Sequence, residues 1–176
     1  MLKRFKLSDK EKSELLKSMV ILIDTKEKKN EHIVQALERK NIPYKSMALN
    51  YGDYSFYIPK NEKLGIGRDL YFDKEIVIER KANLEELSSN LTHKRDQFEK
   101  ELALAPKTKC ILLESGTYDD LTHGRYDTKY LPKSYLASFH AFWHRYNCPV
   151  FMIGNPKNAY VFIKFYFESY LKEQLR

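Results

Sequence analysis

Three residues in the first half of the chain have the side chains that phosphodiester hydrolysis requires. Asp53 follows a glycine, and Glu79 and Lys81 lie at the end of an apolar run that begins at Ile76. Such a run is typical of a strand buried on both faces. Alternate side chains of a strand point to one face, so Glu79 and Lys81 are expected to lie together. Two carboxylates and a lysine are the groups needed to bind Mg²⁺ and activate water against a phosphodiester.

Each of these residues also has a structural explanation. Asp53 could occupy a turn, and Glu79 and Lys81 could form a solvated strand end. The three residues occur together with Asp24, at the end of an earlier apolar strand, and with a basic segment further along the chain. A buried carboxylate and ammonium are unfavourable unless they are paired or bind a metal. The combination therefore favours a metal site.

The order of these motifs has a parallel in a known family. The motifs are Gly52-Asp53, Glu79-Arg80-Lys81, an opening strand at 21–27 that ends in Asp-x-Lys-Glu, Leu84-Glu85-Glu86-Leu87, and Lys94-Arg95. Together they resemble the nuclease domain of the XPF family of structure-specific endonucleases, a branch of the restriction-endonuclease-like PD-(D/E)xK superfamily. The resemblance covers residues 19–115 well and the remainder more loosely.

The resemblance implies a set of site residues. Asp53, Glu79 and the backbone carbonyl of Arg80 would bind Mg²⁺ or Mn²⁺. Lys81 would position or deprotonate the attacking water and offset charge on the phosphate. The full set of predicted catalytic residues is Asp24, Asp53, Glu79, Arg80, Lys81 and Glu85.

Two positions depart from the family pattern. Glu85 stands where the family usually has Asp, four residues after the catalytic lysine, and is one methylene longer. Lys26 stands where the family prefers Arg, which keeps the charge but loses a planar bidentate donor. Neither change removes the metal-binding pair, so an active enzyme is still expected.

Two further carboxylates, Asp24 and Glu27, flank the end of the first apolar strand. In the functional interpretation Asp24 binds a second metal or orients water around the first, and Glu27 orients a nearby Lys or Arg. In the structural interpretation Asp24 is a cap or turn residue and Glu27 is a surface charge. Arg80 points to the opposite strand face from Glu79, where it either anchors the strand or reaches phosphate from the rim.

Two basic segments are candidates for contact with DNA. Lys94 and Arg95 lie at the start of a predicted helix, where the helix N-terminus and the cations both favour phosphate, and the family resemblance places a substrate contact there. Arg125 and Lys129 lie in a loop that mixes cations and tyrosines, as nucleic-acid surfaces do. The alternatives are a solvated helix face and a loop packed on the domain.

Composition limits the class of protein. The 176-residue chain has a net charge of +7, which favours a polyanionic partner such as nucleic acid. No apolar run approaches the ~20 residues that span a bilayer, and no signal-peptide pattern opens the chain. We therefore expect no membrane binding and a cytoplasmic location in a bacterial or phage-infected cell. Cys110 and Cys148 are expected to be small buried residues.

Apolar periodicity and turn residues predict a mixed sheet covered by helices. With the family resemblance, the expected fold is an α/β, restriction-endonuclease-like mixed central sheet flanked by helices. Residues 1–18 are assigned to a charged N-terminal segment and 19–176 to a single XPF-like nuclease domain. Strands are predicted at 20–24, 44–49, 54–58, 75–80, 109–114 and 149–153, and helices at 9–17, 30–40, 83–105 with a break near 90–93, 131–146 and 156–175. Surplus aromatic side chains on the last two helices predict a homodimer face.

The sequence thus predicts a metal-dependent DNA endonuclease, with Mg²⁺ or Mn²⁺ as cofactor, that cuts branched, flap or fork DNA in repair, recombination or phage DNA processing. The alternative is a catalytically quiet DNA-binding subunit that supports an active partner, but the retained Asp53 and Glu79-Arg80-Lys81 favour the enzyme. A third interpretation is a restriction-type or RNA nuclease on the same fold. No paired glycine-containing hairpins follow residue 150, so branch recognition is expected to come from this domain, a dimer or a partner.

Overall fold

The computed structural model describes residues 7–176, which form seven strands and seven α-helices. The part of the predicted N-terminal segment before Leu7 lies outside the described residues. The strands are β1 (Val20–Ile23), β2 (Tyr44–Ser46), β3 (Tyr54–Ile58), β4 (Leu70–Tyr71), β5 (Ile76–Lys81), β6 (Thr108–Leu113) and β7 (Val150–Met152). The helices are α1 (Asp9–Lys17), α2 (Glu31–Arg39), α3 (Leu84–Leu91), α4 (Arg95–Leu104), α5 (Tyr118–His123), α6 (Pro132–Tyr146) and α7 (Ala159–Gln174).

All seven strands belong to one mixed sheet, in the order β2-β1-β3-β5-β6-β7, with β4 paired to the end of β3. Strand β3 runs antiparallel to both β1 and β5, and Tyr54 at its start is opposite Ile23 and Ile78. The start of β3 therefore lies at the same edge as the ends of β1 and β5. This edge brings together Asp24, Asp53 and Glu79, which are far apart in sequence.

Helices cover both faces of the sheet. One apolar core lies between the sheet and α1, α2 and α7, and includes Leu15, Leu37 and Phe167. A second core lies on the other face, under α3 to α6, and includes Phe98 and Tyr135. The predicted α/β fold with a mixed sheet between helices is confirmed.

Several element boundaries differ from the sequence prediction. Strand β2 ends at Ser46; beyond it the N–H of Met47 still donates to the Ile23 carbonyl, and the N–H of Leu49 donates to the Asp24 side chain. The break predicted near 90–93 in the 83–105 helix is confirmed, because α3 ends at Leu91 and α4 begins at Arg95. Helix α5 was not predicted, although Thr117 and Asp120 form a capping box at its start. Asn30 precedes α2, but its side chain makes no capping hydrogen bond.

Within residues 7–176, no helix is both long enough and apolar enough to span a membrane.

Candidate active site

A tight turn at Gly52 places Asp53 at the edge of the sheet. Gly52 has φ +69°, and a Cβ atom there would lie only 2.8 Å from the Val77 Cβ. Glycine alone avoids both the strained backbone and the close contact. The N–H of Asp53 donates to the Ile78 carbonyl at 2.8 Å, and the Asp53 carbonyl accepts from the N–H of Asp24 at 2.8 Å. The backbone of Asp53 is thus hydrogen-bonded to Asp24, which directly follows β1, and to Ile78 within β5.

The side chain of Asp53 is held against Arg80. Its Oδ2 accepts a hydrogen bond from the backbone N–H of Arg80 at 2.7 Å. The N–H and C=O of a strand residue point to the same side, so the Arg80 carbonyl also points toward the Asp53 side of β5. This is the geometry that the predicted use of that carbonyl as a ligand requires.

Glu79 and Lys81 lie side by side on the face of β5 that α4 covers. The Lys81 Nζ is 2.7 Å from the Glu79 Oε1, and the Lys81 side chain is only 8% exposed. The same ammonium lies 5.4 Å from the centre of the Phe98 ring on α4. The sequence prediction that these two charged side chains share one face agrees with their observed positions.

Burial and the neighbouring charges together shift the pKa values of Asp53 and Lys81. Burial, followed by the neighbouring charge of Glu79, raises the pKa of Asp53 well above its ordinary value, although the Arg80 N–H and Lys81 oppose the shift. Burial also acts to lower the pKa of Lys81, but its hydrogen bond to Glu79 and the charges of Glu79 and Asp53 outweigh it, so the pKa of Lys81 is raised. Lys81 is therefore an ammonium at neutral pH.

Asp53 and Glu79 form a donor set that suits a divalent cation. Two carboxylates that repel each other in a partly desolvated site are stabilised when a cation binds between them. Mg²⁺ is commonly bound by one or two carboxylates and several waters, and the Arg80 carbonyl is available as a third oxygen. Within residues 7–176, no three His, Cys, Asp or Glu side chains lie close enough to hold a metal together. The fit therefore rests on a pair of carboxylates.

Asp24 is on the same side of the sheet, but its carboxylate has a structural partner. Its Oδ1 accepts a hydrogen bond from the backbone N–H of Leu49 at 2.9 Å, and the residue is buried. Asp24 lines the cavity in front of the site without completing a three-carboxylate group. The structure thus brings Asp24 near Asp53 and Glu79 but engages one of its oxygens in holding the 47–53 segment.

A cavity of about 210 Å³ opens in front of these carboxylates. Asp53 and Glu79 line it together with the 49–52 segment, and α4 forms the opposite wall through Phe98 and Leu102. Lys26 lies at the same cavity. A phosphate group that enters it would meet carboxylates, and hence any cation they bind, beside Lys26 and Lys109, the two lysines that line the cavity.

Arg80 projects from the opposite face of β5 into a buried ion-pair network. Its Nη2 is 2.6 Å from Glu114 Oε2, and its Nη1 is 3.5 Å from Glu27 Oε1. Glu114 Oε1 is also 2.8 Å from His32 Nε2. Of the two predicted roles for Arg80, these contacts support the anchoring of the strand.

Sequence reasoning did not identify Glu114 and His32. A signal for Glu114 was present, because it directly follows the apolar run of β6 just as Glu79 follows the apolar part of β5. His32 carries no such signal, since its contact joins residues 82 positions apart.

Glu85 does not lie with Asp53 and Glu79. Its Oε1 accepts a hydrogen bond from the backbone N–H of Asp127 at 2.8 Å, which fastens the loop between α5 and α6 to α3. The side chain of the neighbouring Glu86 lies nearer to β5, because it accepts a hydrogen bond from the backbone N–H of Ala82 at 2.8 Å. The contacts of Glu85 are therefore those of a side chain that positions a loop.

The four predicted DNA-binding residues differ in how their charges are used. Arg95 donates to Glu99 at 3.0 Å and lies 5.1 Å from the centre of the Phe142 ring. Arg125 is paired with both Asp119 and Asp120. Lys94 and Lys129 are exposed and form no ion pair within residues 7–176. Among the four predicted DNA-binding residues, Lys94 and Lys129 are thus the two whose charges are not balanced by an acidic side chain of the described residues.

Both cysteines are buried and free. Burial raises the pKa of Cys148 to about 12 and raises that of Cys110 as well. Neither thiol is ionised at neutral pH, which excludes both as nucleophiles.

Comparison with known proteins places the chain in a family. Residues 23–165 match the ERCC4 domain, and the chain belongs to the ERCC4 domain family. No curated protein sequence gives a significant match. The resemblance to the XPF nuclease domain that the motifs suggested is confirmed.

Two solved structures share the fold. XPF from Aeropyrum pernix has a TM-score of 0.60 and 18% identity, with 85% of this chain and 65% of that chain covered. XPF from Aeropyrum pernix in complex with DNA has a TM-score of 0.63 and 19% identity, with 88% of this chain and 66% of that chain covered. The chain therefore spans slightly less than two-thirds of the length of these relatives, and at such identities the likeness shows the fold alone.

Proposed function

We propose that this ERCC4 domain is a divalent-metal-dependent DNA endonuclease that cuts branched, flap or fork DNA. One observation carries the proposal: the carboxylates of Asp53 and Glu79 line the same open cavity, and the Lys81 ammonium is paired with Glu79. This combination, at the edge of an ERCC4-type sheet, has the groups required to hydrolyse a phosphodiester.

Asp53, Glu79 and the carbonyl of Arg80 are the groups that would hold Mg²⁺ or Mn²⁺. When bound, the ion supplies positive charge that stabilises the developing charge on the phosphate and favours ionisation of water. Asp53 is pre-positioned for this role, because the Arg80 N–H fixes one of its oxygens and leaves the other free within the described residues.

Lys81 would position the attacking water and balance charge on the phosphate. Its raised pKa makes it a hydrogen-bond donor at neutral pH while the site holds no cation. Of the two roles that the sequence allowed for Lys81, which are to position or to deprotonate the attacking water, we therefore propose the first. The Phe98 ring and the Glu79 carboxylate limit where the ammonium can point.

Arg80, Glu114 and Glu27 would act as positioning groups. The buried Arg80 side chain is tied to Glu114 and Glu27 on one face of β5, while its backbone contacts Asp53 at the edge of the strand. Movement of Arg80 would therefore displace a carboxylate of the site.

Binding of DNA is supported by the charge of the chain and by its relatives. A net charge of +7 favours a polyanion, and one structure with the same fold is an XPF in complex with DNA. Lys94 and Lys129 are the predicted contacts with unbalanced charge, and we propose that they contact the phosphate backbone.

We also propose a homodimer that forms through exposed aromatic side chains of the C-terminal helices, either those of α6 or those of α7, which cover opposite faces of the sheet. Trp143 on α6 and Phe165 on α7 are both exposed, and large exposed apolar side chains are enriched at interfaces. Measurement of the molar mass by light scattering tests this directly, since a monomer at micromolar concentration contradicts it.

Cleavage assays test the proposed activity. Single-stranded, duplex, flap, fork and four-way junction DNA of matched sequence are incubated with Mg²⁺ or Mn²⁺. We expect faster cleavage of at least one branched substrate than of the matched duplex and single strand. Equal cleavage of all five contradicts structure specificity, and tight binding without cleavage of any supports the quiet-subunit alternative.

A further inference from the structure

A second cleft lies beside the active-site cavity and shares a wall with it. This cleft has a volume of about 240 Å³ and is lined by Asn50, Tyr51, Asp73, Lys74, Leu104 and Pro106. Asn50 and Tyr51 also line the cavity that contains Asp53 and Glu79. The 50–51 segment therefore separates the two spaces, and whatever occupies the cleft is a neighbour of the scissile group.

Tyr51 lacks the contacts that tyrosines of a core usually make. Within residues 7–176 its ring pairs with no aromatic side chain and no cation, and its hydroxyl makes no hydrogen bond. By contrast, Tyr57 stacks on Tyr71, and Tyr135 stacks on Tyr130 and donates to the Leu84 carbonyl. The ring and hydroxyl of the half-buried Tyr51 are thus left without a specific partner among the described residues.

The other walls of the cleft are aliphatic. Leu104 ends α4 and is 66% exposed, which makes it one of the two most exposed large apolar side chains of residues 7–176. Pro106 follows it and is buried. An aromatic ring and an aliphatic surface that line the same narrow cleft suit the binding of a flat, partly apolar group.

The polar groups of the cleft suit a nucleobase better than a phosphate. Asp73 would repel an anion inside the cleft, whereas its carboxylate can accept from the amino group of a base. Asn50 can both donate and accept. Lys74 is exposed, so its ammonium can contact the phosphate that joins this base to the next nucleotide.

The cleft is next to the catalytic carboxylates, because Asn50 and Tyr51 line both spaces. Tyr51 is two residues from Asp53, so their Cα atoms are at most about 7.6 Å apart. A base held against Tyr51 would thus lie close to the phosphate that Asp53 and Glu79 act on. A base within a duplex is stacked on both sides and cannot enter, so the occupant must be unpaired or flipped.

We propose that the cleft between Tyr51 and Leu104 binds one unpaired nucleobase of the substrate, adjacent to the scissile phosphate, with the base stacked on Tyr51. The inference rests on the proposed nuclease function. It deepens that function by giving this domain its own preference for DNA with unpaired nucleotides at the cut.

A scan with abasic sites tests the inference without the need for cleavage. Binding to forked DNA is measured with Ca²⁺ in place of Mg²⁺, and one abasic site is moved along the strand. For the wild type, we expect one position where the missing base weakens binding by about 5-fold or more. Tyr51→Ala should bind the intact DNA more weakly and lose this dependence on the base, while Tyr51→Phe should keep it.

Two further variants make the scan decisive. Leu104→Glu alters an exposed side chain, so the fold should be retained, and it should remove the dependence at the same position. Tyr118→Ala, an exposed tyrosine on α5 outside both cavities, should match the wild type. Identical abasic profiles for the wild type, Tyr51→Ala and Leu104→Glu overturn the inference. Wild-type binding without metal-dependent cleavage overturns the proposed activity alone, and a wild type that binds no DNA overturns both.

Discussion

The Oδ2 of Asp53 accepts a 2.7 Å hydrogen bond from the backbone N–H of Arg80, a residue 27 positions further along the chain. This bond joins the start of β3 to the end of β5. It fixes one carboxylate of the site relative to the strand that carries the other carboxylate, Glu79. The geometry of the proposed metal site therefore depends on main-chain atoms, which are held by the sheet.

The raised pKa of Asp53 predicts a specific dependence of stability on pH. Without divalent cations, the folded state keeps a proton on Asp53 at pH values where the unfolded state has lost it. The contribution of Asp53 to stability is thus present below the ordinary carboxyl pKa of 3.8 and falls as pH rises through the raised folded value.

We therefore expect Asp53→Asn to be more stable than the wild type at neutral pH, with a melting temperature higher by about 2–4 °C. The difference should shrink as the pH is lowered towards 4, and added Mg²⁺ should raise the melting temperature of the wild type only. Thermal unfolding from pH 4 to 8 measures this. Parallel curves of melting temperature against pH for the two proteins would show that the site does not disfavour the ionised form of Asp53.

Lys81→Ala should lower the rate of cleavage by about two orders of magnitude or more, because the ammonium that positions water and balances the phosphate is lost. Divalent-cation affinity should not fall, since Lys81 competes with the cation for Glu79. Single-turnover rates and calorimetric titration of the cation measure the two effects. A near-wild-type rate would show that another residue positions the water. Lys26, which lines the cavity with Asp53 and Glu79, is the next candidate.

Glu114→Ala should destabilise the domain more than Glu27→Ala does. Glu114 is buried and 2.6 Å from the Arg80 guanidinium, whereas Glu27 is 3.5 Å away. Removal of one partner from a buried ion pair typically costs about 3–5 kcal/mol. Urea unfolding of the two variants provides a matched comparison. Equal losses would show that the domain depends no more on Glu114 than on Glu27.

The sequence was most informative where a site residue is fixed by its own strand. Asp53 could be predicted because Gly52 marks the turn before it, and Glu79 because it ends an apolar strand. The contact of Glu85 with Asp127 could not be predicted, since it joins residues 42 positions apart through a loop without regular structure. The pairing of Arg95 with Glu99 is different, because a spacing of four residues on a helix is a readable signal.

Salt dependence of DNA binding should separate the lysines from the arginines of the predicted DNA surface. Replacement of Lys94 and Lys129 together by Ala should flatten the salt slope by about two, one for each lost phosphate contact. Replacement of Arg95 and Arg125 should change it less, because acidic neighbours already balance both guanidinium groups.

Lys157 and Lys172 provide a control for this comparison. Both lysines are exposed; Lys157 lies just before α7 and Lys172 lies within it, and α7 is on the opposite face of the sheet from the site. Their replacement alters net charge equally. If all three double variants give the same slope, binding follows net charge alone and no DNA surface has been located.

The central claim is that Asp53 and Glu79 bind a divalent cation that cleavage requires. Its most direct test is single-turnover cleavage of a preferred branched DNA by the wild type, Asp53→Asn and Glu79→Gln, each with Mg²⁺ and with excess EDTA. We predict cleavage only by the wild type with Mg²⁺, while both variants still bind the DNA in a mobility-shift assay. Undiminished wild-type cleavage in EDTA, or near-wild-type cleavage by either variant, would contradict the account.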